Sequence, residues 1–188
     1  SALVMDVVMV VGSVLLLVLV LFILFVFAVA AVSLFVKRRY GSYEPKVSIV
    51  IPAYNEAQNI AGCLDAVLAS DYPLEKMEVM VVDDGSRDDS VAIATRYPGV
   101  RLLQQQHEGK TAALNLGVKA AAHDFIVALD ADTIIERQCI RELVKPLQDA
   151  GIGATTGIIK VKNNDSILGM FQNIEYHYNN LIRNSFSL

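Results

Sequence analysis

Two carboxylates one residue apart, Asp130-Ala131-Asp132, follow an apolar run, Phe125-Ile126-Val127-Ala128-Leu129. Such a pair at the end of a buried strand repels itself unless a positive group sits between. A hard divalent cation, Mg2+ or Mn2+, does that and commonly shares its coordination with substrate phosphates. It would hold a diphosphate and stabilise its departure. The alternative is a solvated turn with Asp132 or Thr133 capping a helix. Asp83-Asp84-Gly85-Ser86 has the same form after Val79-Met80-Val81-Val82. One carboxylate could accept from a base N–H, and the short Gly-Ser turn admits a nucleotide. The alternative is a strand-to-helix turn capped by Asp88 or Asp89. Gly109-Lys110-Thr111 opens a helical stretch, where a lysine and free N–H groups suit a phosphate. The alternative is an exposed first-turn lysine. A P-loop would need glycine five residues before Gly109, and Gln104 stands there.

Other chemistries find little support. His107, His123 and His177 are far apart and have no cysteine at ligand spacing, so no zinc site is argued. There is no G-x-S-x-G and no G-x-G-x-x-G. Cys63 and Cys139 fall beside apolar helical positions and read as core. Tyr176 and Tyr178 read as packing or interfacial residues.

The elements that must position these groups alternate. Val47 to Ile51 reads as a buried strand stopped by Pro52. Ile60, Leu64, Val67 and Leu68 follow at helical spacing, broken at Asp71-Tyr72-Pro73. A second strand ends at Asp83. A helix is expected near 88–97, a strand from Val100 to Leu103, and a helix from Gly109 to Ala122. A fourth strand runs from Phe125 to Leu129. Ile140, Leu143, Val144 and Leu147 form a helical stripe. A further strand is expected over 152–161, and a last helix carries Ile167, Phe171, Ile174, Tyr178 and Leu181. This alternation gives an α/β domain with a mostly parallel sheet and helices on both faces. Ligands in such sheets bind beyond the carboxyl ends of the strands, where Asn55-Glu56, Asp83-Asp84, and Asp130 with Asp132 fall after the first, second and fourth strands.

The chain has 188 residues, 54% of them hydrophobic, with a formal net charge of −4. An ordinary soluble domain is roughly 45–50% apolar. The excess is local, because no residue from Val7 to Val36 is charged. That run exceeds the roughly 20 helical residues that cross a bilayer. It is too long for a signal peptide's apolar region, and its basic residues, Lys37-Arg38-Arg39, lie behind it. It reads as a transmembrane helix over 7–36. Residues 1–6 are then the external N-terminus, 37–46 a juxtamembrane linker and 47–188 a cytoplasmic domain, by the positive-inside rule. The acidic balance excludes a nucleic-acid partner. Two distant cysteines suit a reducing compartment.

In order and spacing the motifs resemble family 2 glycosyltransferases with the GT-A, Rossmann-like fold. The matching strings are Val47 to Glu56, Asp83-Asp84-Gly85-Ser86, Gly109 to Asn115, and Ala128 to Thr133. Gly153 to Gly157, Ser166 to Gly169 and Asn173 to Tyr176 are similar to the poly-N-acetylglucosamine, hyaluronan and chitin synthase branch. The resemblance implies a nucleotide pocket lined by Ala53, Tyr54 and Glu56. It implies uracil contact by Asp83, Lys110 near the nucleotide or diphosphate, Asp130 near the ribose or metal, and Asp132 on the Mg2+ or Mn2+ that carries a UDP diphosphate.

The function expected on this basis is a membrane-anchored glycosyltransferase, at a prokaryotic plasma membrane. It would build a polysaccharide from a UDP-sugar such as UDP-N-acetylglucosamine by inverting transfer. Its partners would be a glycan or lipid acceptor and membrane lipid, with an oligomer or partner subunit also open. Two family features are absent: the string carrying the general base and the tryptophan-containing acceptor string. The chain has no Trp. It is therefore expected to be the N-terminal portion of a larger enzyme, holding the donor half of the site but not the base, with little or no transfer by itself. Two alternatives stand beside this: a non-processive polyprenyl-phosphate glycosyltransferase, and a catalytically incomplete nucleotide-sugar-binding membrane subunit.

Overall fold

Val47-Ser48-Ile49-Val50-Ile51 is mostly β-branched and apolar on both faces, so it needs cover on both sides. The computed structural model describes residues 2–35 and 40–158 of the chain. In it this segment is the central strand β1 (Val47–Ala53). On one side lies β2 (Met77–Asp83), then β3 (Val100–Gln104); on the other lies β4 (Phe125–Ala128). The order is β3-β2-β1-β4 and every pairing is parallel. The chain divides into two units, one holding the N-terminal helix α1 (Ala2–Phe35) and the other spanning Tyr40–Gly157.

Side-chain alternation on the strands sorts the core into two layers. Val47, Ile49 and Ile51 of β1, with Val79 and Val81 of β2, face α2 (Ile60–Leu68), α3 (Ser90–Ala94) and α5 (Cys139–Val144). Val50, Met80 and Val82 face α4 (Lys110–Ala120) through Ala113. Helix α4 approaches the sheet closely at Gly117, where a Cβ would lie 2.3 Å from Val50 Cγ1.

Several boundaries differ from the sequence expectation. Strand β1 runs through Pro52, which pairs in register with Val82. The Val50 carbonyl accepts from Leu129 N on the β4 side. Pro52, two residues on, faces that side beyond the last β4 partner, so its missing N–H costs no ladder bond. Helix α3 is shorter than 88–97. Asp88 precedes it, with its carboxylate bonded to Ser90 N and Ala57 N. Helix α5 ends at Val144, and Lys145–Gln148 tightens into a 3-10 turn around Pro146, which has no N–H for the α ladder. Residues 152–158 form no strand, and Gly151, Gly153 and Gly157 weaken that segment. The rest of 152–161, Lys37 to Arg39, His177 and the last helical stripe lie outside the described residues.

The segment after the basic cluster is held to the domain. Glu44 pairs with Lys76 at 3.4 Å and with Arg141, and the Tyr72 hydroxyl donates to the Pro45 carbonyl. Helix α1 extends five residues ahead of Val7, through Asp6. Its 34 residues span about 51 Å at 1.5 Å each. Over Asp6–Val29 its mean hydropathy is 3.3, and the apolar side chains from Val7 to Phe27 are exposed.

Candidate functional site

The loops that leave the carboxyl ends of β1 and β2 are laced together by their own side chains. Asn55 N donates to Ser86 Oγ (2.9 Å), Glu56 N to Ser90 Oγ (2.7 Å) and Ala57 N to Asp88 Oδ2 (3.0 Å). In return Arg87 N donates to Asn55 Oδ1 at 2.8 Å. Asn55 has φ 55°, a left-handed conformation that asparagine tolerates better than most residues. The polar strings after these two strands thus do structural work: they fix the loop that presents Tyr54 and Glu56.

An open cleft lies beside this loop. Pro52, Ala53, Tyr54 and Glu56 line it from the β1 side, and Asp84, His107 and Lys110 from the β2 and α4 side. Asp130, Ala131 and Asp132 line it beyond β4. The sequence reading named Ala53, Tyr54, Glu56, Lys110, Asp130 and Asp132, and the structure brings all six to this cleft. Asp83 is buried at the end of β2 and accepts from Ser86 N at 3.3 Å. Its neighbour Asp84 is the aspartate at the cleft wall.

Lys110 Nζ lies 2.7 Å from Asp130 Oδ1, with both side chains more than half exposed. Gly109 caps α4 with φ 95° and ψ 163°, a conformation open mainly to glycine, and so aims Lys110 at the cleft. Asp130 and Asp132 flank Ala131, which is buried and anchors their loop. Cys63 of α2 sits behind it, its thiol donating to the Asp130 carbonyl at 3.6 Å. Burial pushes the Cys63 thiol up to about 12, and the charges of Asp132 and Asp130 push the same way. The thiol is therefore inert packing, and the loop in front of it carries a negative field.

Two cleft residues escaped the sequence reading. Asp84 is 2% exposed and gathers four contacts from residues 105–109: Gln105 Nε2 (2.6 Å), His107 Nδ1 (2.7 Å), Glu108 N (2.9 Å) and Gly109 N (2.9 Å). Burial raises its carboxyl, but these bonds outweigh it and hold the group below the ordinary aspartate value. His107 stacks on Tyr54, with ring centroids 4.1 Å apart and planes 22° apart. One signal was available in the sequence. Val82 faces α4, so Asp84, two residues on, continues that face toward the loop leading into α4.

Known proteins resemble this chain in sequence and in fold. The sequence model of glycosyl transferase family 2 matches residues 48–186. A poly-beta-1,6-N-acetyl-D-glucosamine synthase of Staphylococcus aureus is 34% identical over 135 residues, covering 69% of this chain and 32% of that protein. One of Staphylococcus epidermidis is 32% identical over 149 residues, covering 77% and 35%. The chain thus spans about a third of the length of the curated relatives it matches. The mannosyltransferase PcManGT from Pyrobaculum calidifontis, solved in complex with GDP-Man and Mn2+, superposes with a TM-score of 0.61. It is 31% identical, over 70% of this chain and 41% of that one. Staphylococcus aureus TarS 1-349 superposes at 0.53 with 22% identity, over 63% and 40%, a likeness of fold.

Proposed function

The chain belongs to glycosyl transferase family 2 and has its GT-A fold, and on that premise we propose that the cleft binds a nucleotide-diphosphate sugar for polysaccharide synthesis. The observation that carries this reading is the meeting of Tyr54, Lys110, Asp130 and Asp132 at the carboxyl ends of parallel strands. Tyr54 offers a base an aromatic face, Lys110 offers a diphosphate a positive charge, and Ala53 and Glu56 wall the nucleotide. Asp83, which the family resemblance placed on the uracil, is buried outside the cleft lining, so the aspartate that would meet a base from the end of β2 is Asp84. The donor we assign is UDP-N-acetylglucosamine, and the product a polymer of that sugar. The names of the staphylococcal relatives support the sugar, and the GDP-Man in PcManGT supports the donor class.

The donor set also fits a hard cation. Among the described residues, no three or more His, Cys, Asp or Glu side chains converge as a closed metal cage. Two carboxylates alone leave coordination positions open, which suits Mg2+ or Mn2+ completed by diphosphate oxygens and water. Asp132 would hold the ion, with Asp130 beside it. When bound, the cation would offset the charge of the departing diphosphate. PcManGT was solved with Mn2+, which supports this assignment.

In the proposed transfer, an acceptor hydroxyl attacks the anomeric carbon. Its proton passes to a base, and UDP leaves with the electron pair of the broken C–O bond, giving inversion. The base is assigned to none of the described residues. Helix α1 we assign to the membrane, with the domain on the cytoplasmic side that Lys37-Arg38-Arg39 indicates.

The test is UDP release from UDP-sugars by the full-length protein, wild type against Asp132→Ala, with the product extracted. The reading predicts turnover with UDP-N-acetylglucosamine, a polymeric product and background activity in the variant. A lipid-extractable monosaccharide would support the polyprenyl-phosphate alternative instead. Undiminished turnover in Asp132→Ala would overturn the metal assignment.

A further inference from the structure

One of the two carboxylates assigned above to the cation is already engaged. Lys110 Nζ lies 2.7 Å from Asp130 Oδ1, so an ammonium group stands on an oxygen that the cation needs. The pair bridges the cleft, because Lys110 opens α4 and Asp130 follows β4. The backbone on both sides is fixed. The Asp130 carbonyl accepts from Thr133 N at 3.0 Å and from the Cys63 thiol at 3.6 Å, and Ala131 is buried. The Gly109 carbonyl accepts from Ala113 N at 3.1 Å, which sets the start of α4. The two side chains, by contrast, are 65% and 54% exposed. They can change partners by rotation alone, with no movement of either loop. An exposed pair of this kind is weak, so a stronger ligand for either partner separates it.

We infer that Lys110 is a place-holder for the cation: it holds Asp130 while the cleft is empty and moves to the diphosphate when the donor binds. This deepens the donor reading above and rests on it. An ammonium group beside Asp130 weakens the negative field of the Asp130-Ala131-Asp132 loop and opposes a bare divalent ion. A diphosphate carries more negative charge than one carboxylate and is the better partner for Lys110. Its arrival frees Asp130 for the cation. Metal and nucleotide are therefore taken up together rather than metal first, and each tightens the other through the lysine.

The test follows Mn2+ by the loss of its solution EPR signal on the full-length protein, with and without UDP. Asp132→Ala identifies the site by abolishing the binding. Without UDP, Lys110→Met should bind Mn2+ about threefold to tenfold more tightly than the wild type, because an opposing charge is gone. Lys110→Arg keeps that charge and should stay within about twofold of the wild type. UDP affinity should move the opposite way in Lys110→Met, and the factor by which UDP tightens Mn2+ should shrink. A damaged fold would weaken both ligands, so the opposite signs separate the inference from a merely structural effect. In an Asp130→Asn background there is no pair to break, and Lys110→Met should bring little gain. Unchanged or weaker Mn2+ binding in Lys110→Met would overturn the inference, as would an equal gain in the Asp130→Asn background. The donor reading survives both results provided that the wild type binds Mn2+ and UDP together. Failure of the wild type to bind Mn2+ even with UDP would overturn the metal assignment, and the inference with it.

Discussion

Lys110 and Asp130 form an ion pair whose partners are both more than half exposed. Such pairs contribute little to stability, so this one matters for what it presents to the cleft. Lys110→Met should leave the melting temperature nearly unchanged and weaken UDP binding by about tenfold to a hundredfold, the range of a hydrogen bond to a charged group. Thermal denaturation checks the first half of the statement and calorimetric titration with UDP the second. At this scale the acidic motif residues were legible because they stand at the ends of apolar strands, where an open α/β sheet binds ligands, and Lys110 because it opens a helix. Asp84 and His107 were not. Their roles depend on which way a side chain points past the strand end, and on a contact 23 residues away in sequence. Ser86 and Asp88 were legible only as turn and cap residues and Ser90 carried no reading, whereas the fold uses all three to bind the amides of the β1 loop.

At the scale of elements, the tightest constraint is Gly117, which sets α4 against Val50 and Val82. A methyl group there overlaps Val50. Gly117→Ala should destabilise the domain by about 1–3 kcal/mol, the usual cost of overpacking a core. Adding Val50→Ala should recover part of the loss in thermal denaturation. A second constraint lies at the opposite end of the sheet. Glu78 accepts from Ser48 Oγ (2.6 Å) and Ala122 N (2.7 Å) and pairs with Arg101 at 3.2 Å. Burial raises its carboxyl, yet these partners outweigh burial and hold it below the ordinary value of 4.5. The folded value lies below the unfolded one. The stability it contributes is therefore present above pH 4.5 and is lost as pH falls through the folded value. Melting curves across that range should fall in the wild type, whereas Glu78→Gln should start lower and change less. The alternation of strands and helices was legible from hydrophobic periodicity alone. The tolerance of β1 for Pro52 was not, because it depends on where β4 ends.

At the scale of the whole molecule, composition separates α1 from a domain of ordinary charge. About 23% of residues 37–188 are charged, close to the soluble norm of about 25%. Helix α1 is apolar all round, the mark of a helix that water does not surround. The protein should therefore remain in the membrane pellet after an alkaline carbonate wash, and recovery in the supernatant would remove the anchor from the account. If α1 holds the domain to a membrane as proposed, the cleft would serve an acceptor that stays there, which is why polymer and lipid-linked products are the outcomes to separate. The central claim is that the cleft takes a nucleotide diphosphate together with a divalent cation. Calorimetric titration of UDP into the wild-type protein, with Mn2+ and then with excess EDTA, tests it most directly. Saturable binding that needs Mn2+ and disappears in Asp132→Ala is the expected result. Equal binding with and without the metal, unchanged by Asp132→Ala, would contradict it.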